Sequence, residues 1–154
     1  MTLRDSLNEA LKGAMKARDQ KRVSTLRMVL AALKERDIAS RTEDSRAGVA
    51  DGEIYSLLAK MIRQREESAS MYESGGRPEL AASEREEIAI IREYLPRQMS
   101  EQEMRAAAEN AIAGTGATSG KDMGRVMAAL KQHHAGQMDF GRAGSIVKEL
   151  LAPK

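Results

Sequence analysis

The chain has 154 residues, 42% of them hydrophobic, enough to bury one ordinary core or two small ones. Its 25 Lys and Arg face 23 Asp and Glu, so the net charge of +2 excludes a uniformly basic nucleic-acid coat and leaves only local patches. With no Cys, disulfides, a thiolate nucleophile and thiolate metal sites are all excluded.

Ala, Leu, Met, Glu, Arg and Lys dominate while Val, Ile and Thr are few, which predicts an all-α fold. Leu3, Leu7, Leu11 and Ala14 recur at helical spacing after Thr2, whose hydroxyl caps the first turn with Asp5 near the positive helix end. Asp19 caps a second helix, with Val23, Leu26, Leu30 and Leu33 as one apolar stripe running to about Ile38. Ser40 to Ala50 is polar and unanchored, so it is expected to be the most mobile internal connection. Asp51 precedes a third stripe, Ile54, Leu58, Met61, Ile62 and Ala69, which Gly75 and Gly76 stop after Tyr72. Pro78 suits a first helical turn and opens a fourth stripe, with Leu80, Ala81, Ile88, Ile91 and Leu95 facing inward.

Four such stripes bury one another, as an N-terminal four-helix bundle or as paired helical hairpins. Pro96 forces Leu95 out of helical geometry, and the domain boundary is placed there, giving residues 1–96 and 97–154. The second segment reads as a small three-helix domain. Its helices run from Glu101 to Ala113, started by a Ser100/Glu103 capping box and stopped by Gly114; from about Gly120 to Gln132, capped by Ser119 with Asp122; and from about Phe140 to Leu151, capped by Asp139.

Charge is uneven within the near-neutral total. Between Lys12 and Arg36 eight basic residues face Asp19 and Glu35, and from Gly114 onward Lys121, Arg125, Lys131, Arg142, Lys148 and Lys154 face three acids. No run approaches the roughly 18 apolar residues of a membrane span, and Met1 to Asp19 is charged where a secretory leader is apolar. A cytoplasmic protein with no membrane partner is expected. Tyr55, Tyr72, Tyr94 and Phe140 are the only aromatics, too few for the stacking rows of single-strand binders.

Gly114 to Asp122 superficially resembles a phosphate cradle but fails on spacing: Thr115 stands where the Walker glycine belongs, and Asp122 where the magnesium-binding hydroxyl belongs. A helix-to-helix connection is the better reading, although amides at the next helix start would suit a phosphate. Glu66, Glu67, Glu84 and Glu87 raise a di-iron carboxylate bundle, but His occurs only at 133 and 134, so a solvated acidic face is expected and no metal. Those adjacent histidines point about 100° apart on a helix and cannot chelate together. No nucleophile motif is present, so neither catalytic residues nor a cofactor are expected. The ten Met residues read as core filling, with an adaptable partner surface as the lesser alternative.

At Leu26 to Leu33, at Gly76-Arg77 with Leu80, at Glu93 to Glu101, and at Asp122-Met-Gly-Arg-Val-Met127 with Leu130, the chain resembles the GatB/YqeY family over nearly its full length. The first three signatures look like the small stand-alone YqeY-like proteins. The last resembles the C-terminal tail of the B subunit of glutamyl/aspartyl-tRNA amidotransferase. The resemblance implies an all-helical protein whose C-terminal domain contacts tRNA, while ATP-dependent activation and glutamine hydrolysis reside elsewhere in that enzyme. The inherited label of carbon–nitrogen ligase with glutamine as amido donor therefore leaves enzymatic activity open. The family tail usually reads Asp-Gly-x-x-Val-Asn; here Asp139 is kept, while Phe140, Ala143 and Gly144 depart from it. Lys121 and Arg125 flank Gly124, whose missing side chain serves close helix packing, the preferred reading, or close approach of a nucleic-acid backbone.

The expectation is an accessory protein of translation that binds tRNA, or a tRNA-processing or amidotransferase complex, with Lys121, Arg125, Lys131 and Arg142 as phosphate contacts and no DNA partner. The rival is a helical protein–protein interaction module.

Overall fold

The computed structural model describes residues 2–43, 45 and 47–153. It is all-α: seven α-helices and one 3-10 turn, with no strand among the described residues. The residues group into two compact units, one up to Leu95 and one from Pro96.

In the first unit α1 (Leu3–Ala17) begins at a complete capping box: Asp5 N–H donates to the Thr2 hydroxyl at 3.1 Å, and Thr2 N–H donates to the Asp5 carboxylate at 3.2 Å. Arg18, at φ 56°, turns the chain in two residues into α2 (Gln20–Ala39), whose first turn is capped by Asp19. Val23, Leu26, Val29 and Leu33 are buried, and so is Thr25, whose hydroxyl donates to the Lys21 carbonyl at 2.8 Å. α3 (Asp51–Ser74) and α4 (Pro78–Arg92) pack along each other through a tight turn in which Gly76 takes φ 75°. Leu7, Leu26, Leu33, Ile54, Leu58 and Ile91 form the fully buried centre. Burying each such side chain contributes about 1.5–3 kcal/mol, which is why four weak stripes hold together.

Two expectations change here. Ser40–Ala50 includes Asp44 and Arg46, which lie outside the described residues, but its second half is anchored: Val49 packs on the core and exchanges hydrogen bonds with Arg4 and Asp37. The α4 helix ends at Arg92, before Leu95, through turn bonds from Glu93, Tyr94 and Leu95 N–H to Ile90, Ile91 and Arg92 carbonyls. The acidic α3/α4 surface is cross-linked rather than clustered. Arg92 meets Glu66 at 3.0 Å, Arg65 meets Glu87 at 3.2 Å, and Arg85 pairs with Glu73.

In the second unit α5 (Glu101–Thr115), the 3-10 turn Gly120–Asp122, α6 (Met123–His133) and α7 (Phe140–Leu151) enclose Ala108, Val126, Leu130, Ala143, Ile146 and Val147. The Ser100/Glu103 box and the Asp139 cap both form. The stop of α5 is Gly116, not Gly114, because the turn needs one residue at positive φ (71°) and Gly114 still lies within the helix.

Candidate nucleic-acid interface

The residues named for phosphate contact fall on the rim of the second unit, and α5 separates them into two groups. Arg125 Nη1 donates to the Thr115 carbonyl at 3.1 Å, at the C-terminal end of α5. Arg142 pairs with Glu101, at the N-terminal end of the same helix. A 15-residue helix is about 21 Å from first to last residue. Lys121 shares the Arg125 end, in the 3-10 turn that leads into α6, and Lys131 lies in the last turn of α6. The four therefore do not converge on one spot.

Their charges differ in availability. Arg125 Nη2 donates to Asp122 Oδ1 at 2.7 Å, and Arg142 is engaged by Glu101. Lys121 and Lys131 are exposed and have no partner among the described residues. Lys148 on α7 is in the same condition and was not singled out by sequence reasoning. Counting charges along the chain gives Lys148 no distinction; only the structure shows that no carboxylate among the described residues pairs with it, while its neighbour Glu149 pairs with Arg105 at 3.3 Å.

Asp122 organises the α5–α6 connection. Its Oδ2 accepts from Thr118 N–H at 2.9 Å and Ser119 N–H at 3.3 Å, while Oδ1 takes Arg125. The Thr118 amide and the Arg125 guanidinium together hold its carboxyl at about 2, well below the usual carboxylate range. The Thr118 and Ser119 amides are thus already bound by the chain's own carboxylate and are not open to a phosphate.

Gly124 is exposed, and a Cβ built on it meets nothing within 4 Å. The packing explanation for this glycine is therefore wrong: no helix approaches it. At Gly144 a Cβ would lie 3.6 Å from Met123 Cε and 3.9 Å from Met127 Cε, so this position faces α6. Ala143 is fully buried and Phe140 packs against the same core.

His133 is exposed and His134 ends α6, with Nδ1 3.1 Å from Gln137 Oε1. Both border an open groove of about 350 Å³ between α5 and α6, walled by Ala107, Ala111 and Ala129. Among the described residues no three acidic or His side chains converge as metal ligands. No described helix is long and apolar enough to cross a membrane.

Comparison with known proteins gives a family and corrects one expectation. The family model described as Yqey-like protein matches residues 4–151. The chain is also similar to proteins named altered inheritance of mitochondria protein 41, mitochondrial. It is 35% identical to that of Kluyveromyces lactis over 89 residues, which is 58% of this chain and 46% of the relative. It is 32% identical to that of Lachancea thermotolerans over 90 residues, again 58% and 46%. The match to that of Saccharomyces cerevisiae strain YJM789 is 31% over 85 residues, 55% and 44%. The chain thus matches less than half the length of these relatives. Their mitochondrial designation overturns the cytoplasmic expectation. That expectation rested on a missing apolar leader, a criterion blind to mitochondrial targeting segments, which are amphipathic and Arg-rich. A family match spanning nearly the whole chain, with the helical architecture beneath it, makes this chain a member of the YqeY-like protein family.

Proposed function

We propose that the protein is an accessory factor that contacts tRNA through its C-terminal unit and is not catalytic by itself. The observation that carries this reading is the set of exposed, unpartnered lysines Lys121 and Lys131, on a unit whose nearby arginines are already paired. Lysines free of carboxylates release the phosphate counterions of a nucleic acid without first giving up an internal ion pair. Support of a different kind comes from Asp122-Met-Gly-Arg-Val-Met127, which resembles the tail of the tRNA amidotransferase B subunit. In this reading Arg125 and Arg142 contribute less than the two lysines, because each must exchange a carboxylate for a phosphate.

The test is binding of mixed tRNA at several salt concentrations. Each phosphate neutralised contributes about −0.9 to the log–log slope on duplex-like regions, so two or three contacts give about −2 to −3. Lys121→Ala and Lys131→Ala should each reduce the slope by about 1 and weaken all tRNAs alike, because phosphate contacts carry no base identity. Retention of a protein and no RNA from native extract would favour the interaction-module reading. Conversion of glutamyl-tRNA to glutaminyl-tRNA by the purified chain with ATP and glutamine would overturn the non-catalytic part.

A further inference from the structure

The α2 helix carries two stripes. Val23, Leu26, Leu30 and Leu33 face the core. On the outside, Ser24, Arg27, Ala31, Lys34 and Ile38 repeat at spacings of three and four, the pattern of a helix–helix seam. All five are exposed, Ile38 by 49%, and neither Arg27 nor Lys34 has a partner among the described residues. Arg27 and Lys34 are a heptad apart, about 10.5 Å along the axis, with the small and apolar Ala31 and Ile38 set between and beyond them. The first unit's own helices leave this seam uncovered.

The α4 helix bears the opposite pattern. Glu79, Ala82, Glu86 and Ala89 are all exposed at spacings of three and four, and Glu79 and Glu86 are also a heptad apart. Neither has a partner among the described residues. The next acid along, Glu93, is held by Arg22 at 2.7 Å and is not available. Two cations at one heptad separation thus match two carboxylates at the same separation, and Ala82 and Ala89 allow the close axial approach that a seam with Ala31 needs.

We propose that a second copy of this chain docks here, the α2 seam of one copy receiving the α4 stripe of another. Arg27 and Lys34 pair with Glu79 and Glu86, and either relative direction of the helices satisfies both pairs. Because each copy carries both surfaces, the contact is made reciprocally between two copies or in series. This inference does not depend on tRNA binding.

The test is sedimentation of the purified full chain across a wide concentration range at low and high salt. The wild type should associate, and less so at high salt, where exposed pairs are screened. Arg27→Glu with Lys34→Glu should weaken association on the order of a hundredfold, as should Glu79→Lys with Glu86→Lys, since both put like charges opposite each other. The quadruple variant should associate again, as should an equimolar mixture of the two double variants. All four positions are exposed and unpaired, so unchanged helical circular dichroism is expected throughout. A wild type that stays monomeric overturns the proposal. So does association that either double variant leaves intact, loss without restoration in the quadruple variant, or assembly that requires nucleic acid or a different protein.

Discussion

Arg4 and Asp37 stand 33 residues apart in sequence and meet as a two-pronged ion pair, Nη1 to Oδ2 at 2.6 Å and Nη2 to Oδ1 at 3.1 Å. The same pair holds Val49 on both sides: its N–H donates to Asp37 Oδ1 at 2.9 Å, and its carbonyl accepts from Arg4 Nη2 at 3.1 Å. The clasp closes over Gly48, where a Cβ would lie 2.5 Å from Arg4 Nη2 and 3.0 Å from Asp37 Oδ1. A side chain there displaces the guanidinium. Gly48→Ala and Asp37→Ala are each expected to lower stability by about 1–2 kcal/mol, the worth of a partly exposed charge-assisted pair. Urea unfolding of both variants measures this, and unchanged midpoints would show the clasp to be energetically idle.

The clasp also has a pH signature. The Arg4 hydrogen bonds hold the Asp37 carboxyl below its ordinary value. A lowered folded pKa means that its contribution is complete above the unfolded value, about 3.9, and is lost as pH falls through the folded one. The stability gap between wild type and Asp37→Asn should be flat near neutrality and narrow below about pH 4. A gap that widens on acidification would contradict the assignment.

The two capping carboxylates of the second unit are held low as well. Asp122 is held at about 2 by the Thr118 amide and Arg125, and Glu103 at about 2 by Arg97 and the Ser100 amide. Both contributions are present above about pH 4 and disappear between there and about 2. Asp122→Asn and Glu103→Gln should therefore lose acid dependence in that window, as read by circular dichroism along an acid titration. Retention of the wild-type profile would refute the caps as its source.

Gly124 separates stability from binding. It sits within α6 with open space around it, so Gly124→Ala should raise stability by about 0.5–1 kcal/mol through helix propensity alone. If a nucleic-acid backbone comes close at this point, tRNA affinity falls in the same variant. A destabilised Gly124→Ala would mean that a neighbour does fill the space.

The legible features of the fold were local ones. Thr2, Asp19, Ser100 with Glu103, and Asp139 each accept from the next few amides, Pro78 fixes the φ of a first turn, and each starts a helix where its chemistry says it should. Gly114 and Gly116 could not be separated, because both permit positive φ and only the exit path of the chain selects one. Long-range pairing was the main hidden quantity. Arg142 reads as a free cation until Glu101, 41 residues away, is seen beside it, and the Ser40–Ala50 connection reads as loose until Arg4 reaches Val49. The i,i+3 pair of Asp122 with Arg125 was visible in principle, since both lie on one helical edge.

The lengths of the turns in the first unit bear on the order of its assembly. Two residues join α1 to α2 and three join α3 to α4, whereas eleven join α2 to α3. Closing the longer connection costs about 1.5 kcal/mol more chain entropy than closing the two-residue turn. Each helical pair is therefore expected to form from contacts near in sequence and ahead of their union, with the joining of the pairs as the slow step. The bonds from Arg4 and Asp37 to Val49 tether the long connection only after α2 has folded back on α1. Breaking them is then expected to speed unfolding more than it slows folding, which a chevron of Asp37→Ala reads directly.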